Sequence, residues 1–114
     1  MERKPLSFPL TITISNVSGS NKGNGSITTP INSAIADAGG YMRQLIIDPP
    51  NVDATYDVIM KNSNGRTIFK RTEQVGDLAD DINTPMPADT YTVYLENCSH
   101  NGVYNLEIIY AEVY

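Results

Sequence analysis

Residues 90–113 read TYTVYLENCSHNGVYNLEIIYAEV, and they contain two runs in which apolar and polar residues alternate. The apolar positions of the two runs are Tyr91, Val93 and Leu95 in the first, and Tyr104, Leu106 and Ile108 in the second. A polar break, Asn97 to Gly102, separates them. Alternation with a period of two predicts strands with one buried face, and a short break containing glycine predicts that the strands pair as an antiparallel hairpin.

The rest of the chain indicates more strands of the same kind. A second hairpin is predicted around Ser63-Asn64-Gly65, because Asn-Gly between two strand-like runs is a strong turn signal. The predicted strands upstream of residue 90 are residues 10–15, 27–30, 41–48, 56–61 and 67–71. Their predicted core residues are Leu45, Ile47, Val58, Met60 and Phe69.

Three other segments are predicted to lie outside the strands. Residues 16–26 (NVSGSNKGNGS) have the composition of a loop, which is either a flexible excursion or a binding tip. Residues 34–38 and 77–82 each predict one helical turn, the second with Asp77 as its N-cap and with Leu78 and Ile82 facing inward. Residues 72–89 are otherwise expected to be a long connection.

At 114 residues the chain is long enough for one domain with its own core. At least six strands with turn signals between them predict an all-β fold, a single antiparallel β-sandwich or jelly-roll-like domain over residues 10–114. Residues 1–9 (MERKPLSFP) hold two prolines and three charged side chains, which predicts an extended N-terminal arm.

Composition disfavours several classes of function. The net charge is −5, and no basic stripe with interleaved aromatic residues is present, so nucleic-acid binding is not expected. Residues 1–71 carry all eight basic residues and five acids, whereas residues 72–114 carry eight acids and no Lys or Arg. No apolar run is long enough for a membrane span, and no secretory signal is visible, so we expect synthesis in the cytoplasm and no membrane association.

No catalytic or cofactor-binding motif is present. Cys98 excludes an internal disulfide, and its neighbour His100 lacks a third group to orient a Cys–His nucleophile. Asp77, Asp80 and Asp81 suggest calcium, but their spacing does not match a regular calcium loop, so a solvated acidic loop is favoured. We therefore expect a protein that is not an enzyme and that has no cofactor and no metal.

From Tyr56 onward the chain resembles two related groups of small β-proteins. The residues that carry the resemblance are Tyr56-Asp57-Val58, the Asn64-Gly65 turn, Gly76-Asp77-Leu78, TYTVYLEN at 90–97 and YNLEI at 104–108. One group is the β-sandwich of bacterial pre-peptidase C-terminal domains. The other is a set of virion accessory proteins of tailed bacteriophages, which the opening MERKPLSFPLTITISN resembles more closely.

The phage resemblance implies a structural protein of the virion, in the first place a head decoration or cement protein made in the host cytoplasm. It implies contacts with the major capsid protein or other virion proteins, and a homo-oligomer, with a trimer favoured. The expected interface residues are Glu2, Arg3, Lys4 and Phe8 of the arm, and Lys61, Arg66, Lys70 and Arg71 of the second hairpin.

Two alternatives remain open from the sequence. Seven tyrosines and the Asn-rich loops, including residues 16–26, suggest a module that binds glycans or a host surface. A tail or connector component of the same virion is the other alternative.

Overall fold

A computed structural model describes residues 6–31 and 40–112 of the chain, and it is all-β across these residues. Within the described ranges no helix is long and apolar enough to cross a membrane. The eight strands are β1 (Leu6–Ile14), β2 (Gly23–Ile31), β3 (Gly40–Asp48), β4 (Thr55–Lys61), β5 (Thr67–Val75), β6 (Leu78–Pro85), β7 (Asp89–Cys98) and β8 (Gly102–Glu112).

The strands form two four-stranded antiparallel sheets. The first sheet has the order β1-β8-β3-β6, and the second has the order β2-β7-β4-β5. The hydrogen-bonded pairs include β1 with β8, β2 with β7, β3 with β6, and β4 with β5, so the chain folds as one long ribbon doubled back at the β4–β5 turn. An eight-stranded double sheet wound in this way is a jelly roll. The predicted fold class is therefore confirmed.

The inner faces of the two sheets enclose one apolar core. Every core residue predicted from the alternating patterns is buried, including Leu45, Ile47 and Phe69. Among the described strands, proline occurs at an internal position only in β1 (Pro9) and β2 (Pro30). Both of these are edge strands. Edge strands tolerate proline because a missing N–H there breaks no central ladder.

Four fully buried tyrosines tie the core to the connections at both ends of the sandwich. At one end the hydroxyls of Tyr91 and Tyr110 donate to the carbonyls of Pro87 and Met86, at 2.5 and 2.8 Å. At the opposite end the hydroxyls of Tyr56 and Tyr104 donate to the carbonyls of Gly76 and His100, at 2.7 and 2.8 Å. A buried hydroxyl needs a partner, so these bonds make the tyrosines compatible with the core.

The two ends of the sandwich differ in their connections. We call one the hairpin end: it holds the β4–β5 turn (residues 62–66), the β6–β7 connection (residues 86–88) and the start of β1 at Leu6. We call the other the arch end: it holds the connections at residues 15–22, 49–54, 76–77 and 99–101.

The predicted hairpin of residues 90–113 is wrong in its pairing. Both strands exist and bury the predicted faces, but β7 pairs with β2 and β4 while β8 pairs with β1 and β3. The short connection at residues 99–101 therefore crosses between the sheets. Asn101 holds this crossing in place, because its side chain accepts from the N–H of Val17 at 2.9 Å and donates to the Val17 carbonyl at 3.1 Å.

The predicted N-terminal arm is too long. Residues 6–9 belong to β1, where Phe8 pairs with Ile108 and its ring lies edge-on to Tyr110, with centroids 6.2 Å apart. The apolar alternation begins at Leu6 and continues through Phe8 and Leu10, which extends β1 toward the N-terminus. Residues 1–5 lie outside the described residues, as does the helical turn predicted at residues 34–38.

One other predicted segment is a strand, and another is strand in its last part. The second predicted helical turn is wrong, because Leu78, Asp80 and Ile82 lie in β6. The predicted loop 16–26 ends at Lys22, because Gly23 already pairs with Cys98. The remaining loop is held by Asn16, whose side chain accepts from the N–H of Asn24 and donates to the Asn24 side chain, each at 3.0 Å.

Candidate functional site

The outer face of the second sheet is the surface on which the described charged residues are organised in rows. The register places directly paired residues on the same face of a sheet. We define the outer face by the following residues: Ser26, Thr28, Asp57, Ile59, Lys61, Lys70, Thr92, Tyr94 and Glu96. Three rows cross the strands, with Asp57 and Glu96 toward the arch end, Ile59 and Tyr94 in the middle, and Lys61 and Thr92 toward the hairpin end.

The middle row has an apolar, half-buried centre, and the exposed Lys70 of β5 lies at its edge. Ile59 and Tyr94 are half-buried and lie directly opposite each other on β4 and β7. The ammonium of Lys61 lies 5.4 Å from the centre of the Tyr94 ring, a cation–π geometry that keeps this side chain on the face. The hydroxyls of Thr28 and Thr92 are 3.0 Å apart and cross-link β2 to β7 on the same face.

At the arch end the carboxylate of Asp57 joins three strands. Oδ1 accepts from the backbone N–H of Glu73 on β5, and Oδ2 accepts from the side-chain amide of Asn97 on β7, both at 2.8 Å. Glu73 and Asn97 are the two non-glycine residues with positive φ in the described chain, at 56° and 53°. Such conformations are costly outside glycine and concentrate at functional sites.

Glu73 is positioned by a bulge in β5. Tyr56 pairs with Gln74 and Val58 pairs with Arg71, so β5 carries one more residue than β4 over this interval. The bonds to Asp57 from the Glu73 amide and the Asn97 side chain stabilise its charged form and hold the pKa of that carboxyl below its usual value. Asp57 is therefore a carboxylate at neutral pH.

An open cleft of about 450 Å³ adjoins this carboxylate. Its lining residues are Lys22, Thr55, Tyr56, Asp57, Glu73, Val75 and Asn97. It combines acceptors, donors and one exposed apolar side chain, Val75, which is 59% exposed. A cleft of this size and lining can hold a small polar ligand or a side chain of another protein.

The opposite end of the outer face is basic. Lys61 and Arg66 flank the β4–β5 turn at this end, whereas the exposed Lys70 of β5 pairs with Ile59 in the middle row. Asp89 lies at the same end, and hydrogen bonds from Ser63 and from the Thr90 amide hold its pKa below the usual value. The turn itself is fixed by Asn62, whose side-chain oxygen accepts from the N–H groups of Asn64 and Arg66, each at 3.0 Å.

The structure brings together some of the predicted interface residues and separates others. Lys61 and Lys70 share the outer face, and Arg66 is exposed at the adjoining turn. Arg71 lies elsewhere, with its guanidinium 4.7 Å from the centre of the Phe69 ring. Phe8 packs against its own core, and the predicted Glu2, Arg3 and Lys4 lie outside the described residues.

Cys98 has the environment of a core residue. It is buried, and burial raises the pKa of its thiol to about 11. The hydrogen-bond partner of the His100 ring is the Ser99 hydroxyl, 2.7 Å from Nδ1, and that hydroxyl also accepts from the N–H of Thr55 at 2.8 Å. Ser99 and His100 therefore fasten the arch at residues 99–101 to β4.

Among the side chains that the structure describes, no group of three or more His, Cys, Asp or Glu could hold a metal ion. The side chains of Asp80 and Asp81, which were considered for calcium, are not among those described. Asp80 and Asp81 belong to β6, where they pair with Leu45 and Gln44 of β3. Asp77 lies in the short connection before that strand.

Sequence reasoning missed Asp57, Glu73 and Asn97. These three residues are in contact because of the β5 bulge and because β4 pairs with both β5 and β7. Neither feature can be recognised from a pattern in the sequence. Several tyrosines that suggested glycan binding lie in the core, namely Tyr56, Tyr91, Tyr104 and Tyr110.

No protein-family model matches this sequence, and no curated protein sequence shows significant similarity to it.

Proposed function

We propose that this protein is a non-enzymatic structural component of a bacteriophage virion, a head decoration protein that binds the capsid through its hairpin end. The resemblance of residues 56–108 and of the N-terminal sequence to phage virion proteins supplies the class of partner. The jelly roll is a fold of viral capsid domains among others, so the architecture supports the class without selecting it.

One observation supports the hairpin end as the part of the protein that contacts the capsid. The exposed Arg66 lies in the β4–β5 turn, and β1 starts at the same end of the sandwich, at Leu6. The five residues that precede Leu6 include Arg3 and Lys4 and can reach about 17 Å from that point. The basic groups predicted for the interface from two distant parts of the sequence are thus available to one partner surface.

A partner with an acidic surface fits this end of the sandwich. Charge complementarity would steer the protein to the capsid and fix its orientation, and contacts from residues 1–5 would add to the area buried against the partner. The binding would weaken as salt is raised because the charges involved are exposed.

Cosedimentation with purified heads that lack the protein tests the proposal. We expect the wild type to bind saturably, whereas Arg66→Glu and a chain lacking residues 1–5 lose most of their binding. Asp48→Lys is the matched control, since Asp48 is exposed on the outer side of the first sheet, near the arch end. A wild type that stays in the supernatant, or variants that bind as well as it does, would contradict the proposal.

A saccharide-binding module is the second candidate, favoured by the cleft beside Asp57. Its acceptors and donors suit sugar hydroxyls, and its volume of about 450 Å³ suits a small saccharide. Glycan-array binding that is lost in Asn97→Gly, which keeps the backbone conformation, would favour this candidate over the virion role. An array without signal would remove it.

A further inference from the structure

We propose that the outer face of the second sheet is a self-complementary surface that binds the same face of a second copy of this chain. This goes beyond the capsid contact and does not depend on it, because the capsid contact uses the end of the sandwich and this one uses a face.

The charges of this face follow a fixed order along the strands. Asp57 and Lys61 lie on the same strand and the same face, one on each side of Ile59. Each is two residues from that centre, or about 7 Å along the strand. Glu96 adds to the negative side, because it pairs with Asp57.

This order of charges is complementary to itself under a two-fold axis. The axis lies parallel to the face and crosses the strands at the Ile59–Tyr94 row. Rotation about it lays the acidic end of one copy over the basic end of the other, twice in one dimer. Lys61 of each copy then meets Asp57 and Glu96 of its partner. Both carboxylates can accept these contacts, since Asp57 keeps unused lone pairs beyond its bonds to Glu73 and Asn97.

The apolar centre of the face is also compatible with two-fold pairing. Ile59 and Tyr94 would stack on their counterparts, which gives an apolar centre with a charged rim, the usual anatomy of a protein interface. Isologous pairing of one patch with itself is the commonest symmetry of soluble oligomers.

The remaining charges near the face modify the pairing without reversing it. Lys22 lines the cleft at the acidic end, and Asp89 lies at the basic end, so each end carries one group of the opposite sign. Lys70 lies in the middle row on the edge strand, so the axis sets Lys70 of one copy against Lys70 of the other at the rim of the dimer, and this repulsion weakens the pairing. Four strands span only about 14 Å, so the interface is smaller than the standard size and the dimer should be concentration-dependent.

Charge reversal with complementation tests this pairing by analytical ultracentrifugation of the full chain. Lys61→Glu should raise the dimer dissociation constant at least about tenfold, because position 61 then carries the same charge as both Asp57 and Glu96 of the partner copy. Glu96→Lys should raise it less, because Asp57 of the partner still attracts Lys61. An equimolar mixture of the two variants should associate more tightly than either variant alone and less tightly than the wild type. One contact of the mixed dimer is again wholly between opposite charges, and the other keeps a like-charge pair at Asp57. Asp48→Lys, on the other sheet, should dimerise like the wild type.

Tighter association in the mixture than in either variant alone, with circular dichroism confirming that both variants are folded, supports the two-fold pairing. A wild type that is monomeric at millimolar concentration overturns it, as does a dimer that neither substitution weakens. Single variants that dissociate but do not complement each other would show that the face binds something other than its own copy, and would overturn it as well.

Discussion

The carboxylate of Asp57 accepts a hydrogen bond from the backbone N–H of Glu73 at 2.8 Å, at the point where Glu73 adopts a left-handed conformation with φ of 56°. The second oxygen of Asp57 accepts from Asn97, which is left-handed as well. One side chain therefore stabilises two unfavourable backbone conformations on the strands to either side of it. These hydrogen bonds hold the Asp57 carboxylate in place at the acidic end of the outer face.

Substitution of Asp57 by asparagine should destabilise the fold. The introduced side-chain amide would present a donor either to the donor of Asn97 or to the N–H of Glu73, so one hydrogen bond is lost. We expect a decrease of about 1 kcal/mol in the free energy of unfolding at pH 7, measured by urea denaturation. Asp48→Asn, at an exposed position on the other sheet, should change stability little.

The effect of Asp57 should depend on pH in a defined direction. The folded-state pKa lies below the ordinary value of 3.8, so ionised Asp57 contributes stability that is present above about pH 4. That contribution is lost as the pH falls through the folded-state pKa. The stability difference between wild type and Asp57→Asn should therefore shrink on acidification, and a difference that grows instead would contradict this assignment.

Glycine at position 73 should be tolerated better than glycine at its neighbour. Glu73→Gly removes the strain of a left-handed non-glycine residue, which offsets the entropy that glycine loses on folding. Gln74→Gly, in ordinary strand conformation, gains no such relief and should cost about 1 kcal/mol. Thermal melts of the two variants measure the contrast, and equal losses would show that Glu73 is unstrained.

Two turn glycines should differ in their sensitivity to alanine. Gly65 and Gly76 both have positive φ, 79° and 68°, so alanine strains the backbone at each. A Cβ at Gly65 would meet no atom within 4 Å, whereas at Gly76 it would lie 2.9 Å from the carbonyl oxygen of Val52. Gly76→Ala should lower the unfolding midpoint in urea more than Gly65→Ala does, and the reverse order would contradict the described arch end.

Cys98 should be unreactive in the native protein. Burial raises the pKa of its thiol to about 11, so almost no thiolate exists at pH 8, and the residue is fully buried. Iodoacetamide should modify Cys98 only after denaturation, as followed by mass spectrometry. Rapid modification of the native protein would show that the β7–β8 arch opens readily.

The sequence predicts which residues face the core much better than it predicts which strands pair. Alternation is a local property, so the buried faces of Tyr91 to Leu95 and of Tyr104 to Ile108 follow directly from it. Pairing is decided by the whole ribbon, and β7 and β8 each find two partners far away in the sequence. A short polar connection is compatible with a hairpin and with a crossing between sheets.

The helical turn predicted at residues 77–82, which is strand β6 in the structure, is likewise wrong because a local pattern does not determine pairing. Leu78 and Ile82 are four residues apart, a spacing that places them on one face of a helix and equally on one face of a strand. Pairing with β3 selects the strand. The site at Asp57 is less predictable still, because the bulge that positions Glu73 is visible only once β4 and β5 are paired.

Quantitative mass spectrometry of purified virions tests the central claim, that this chain is a head decoration protein, most directly. We expect a copy number that rises and falls with that of the major capsid protein, and selective loss of the chain from particles when Arg66→Glu is introduced. Absence of the chain from virions, or a copy number that follows the portal or tail proteins, would contradict it.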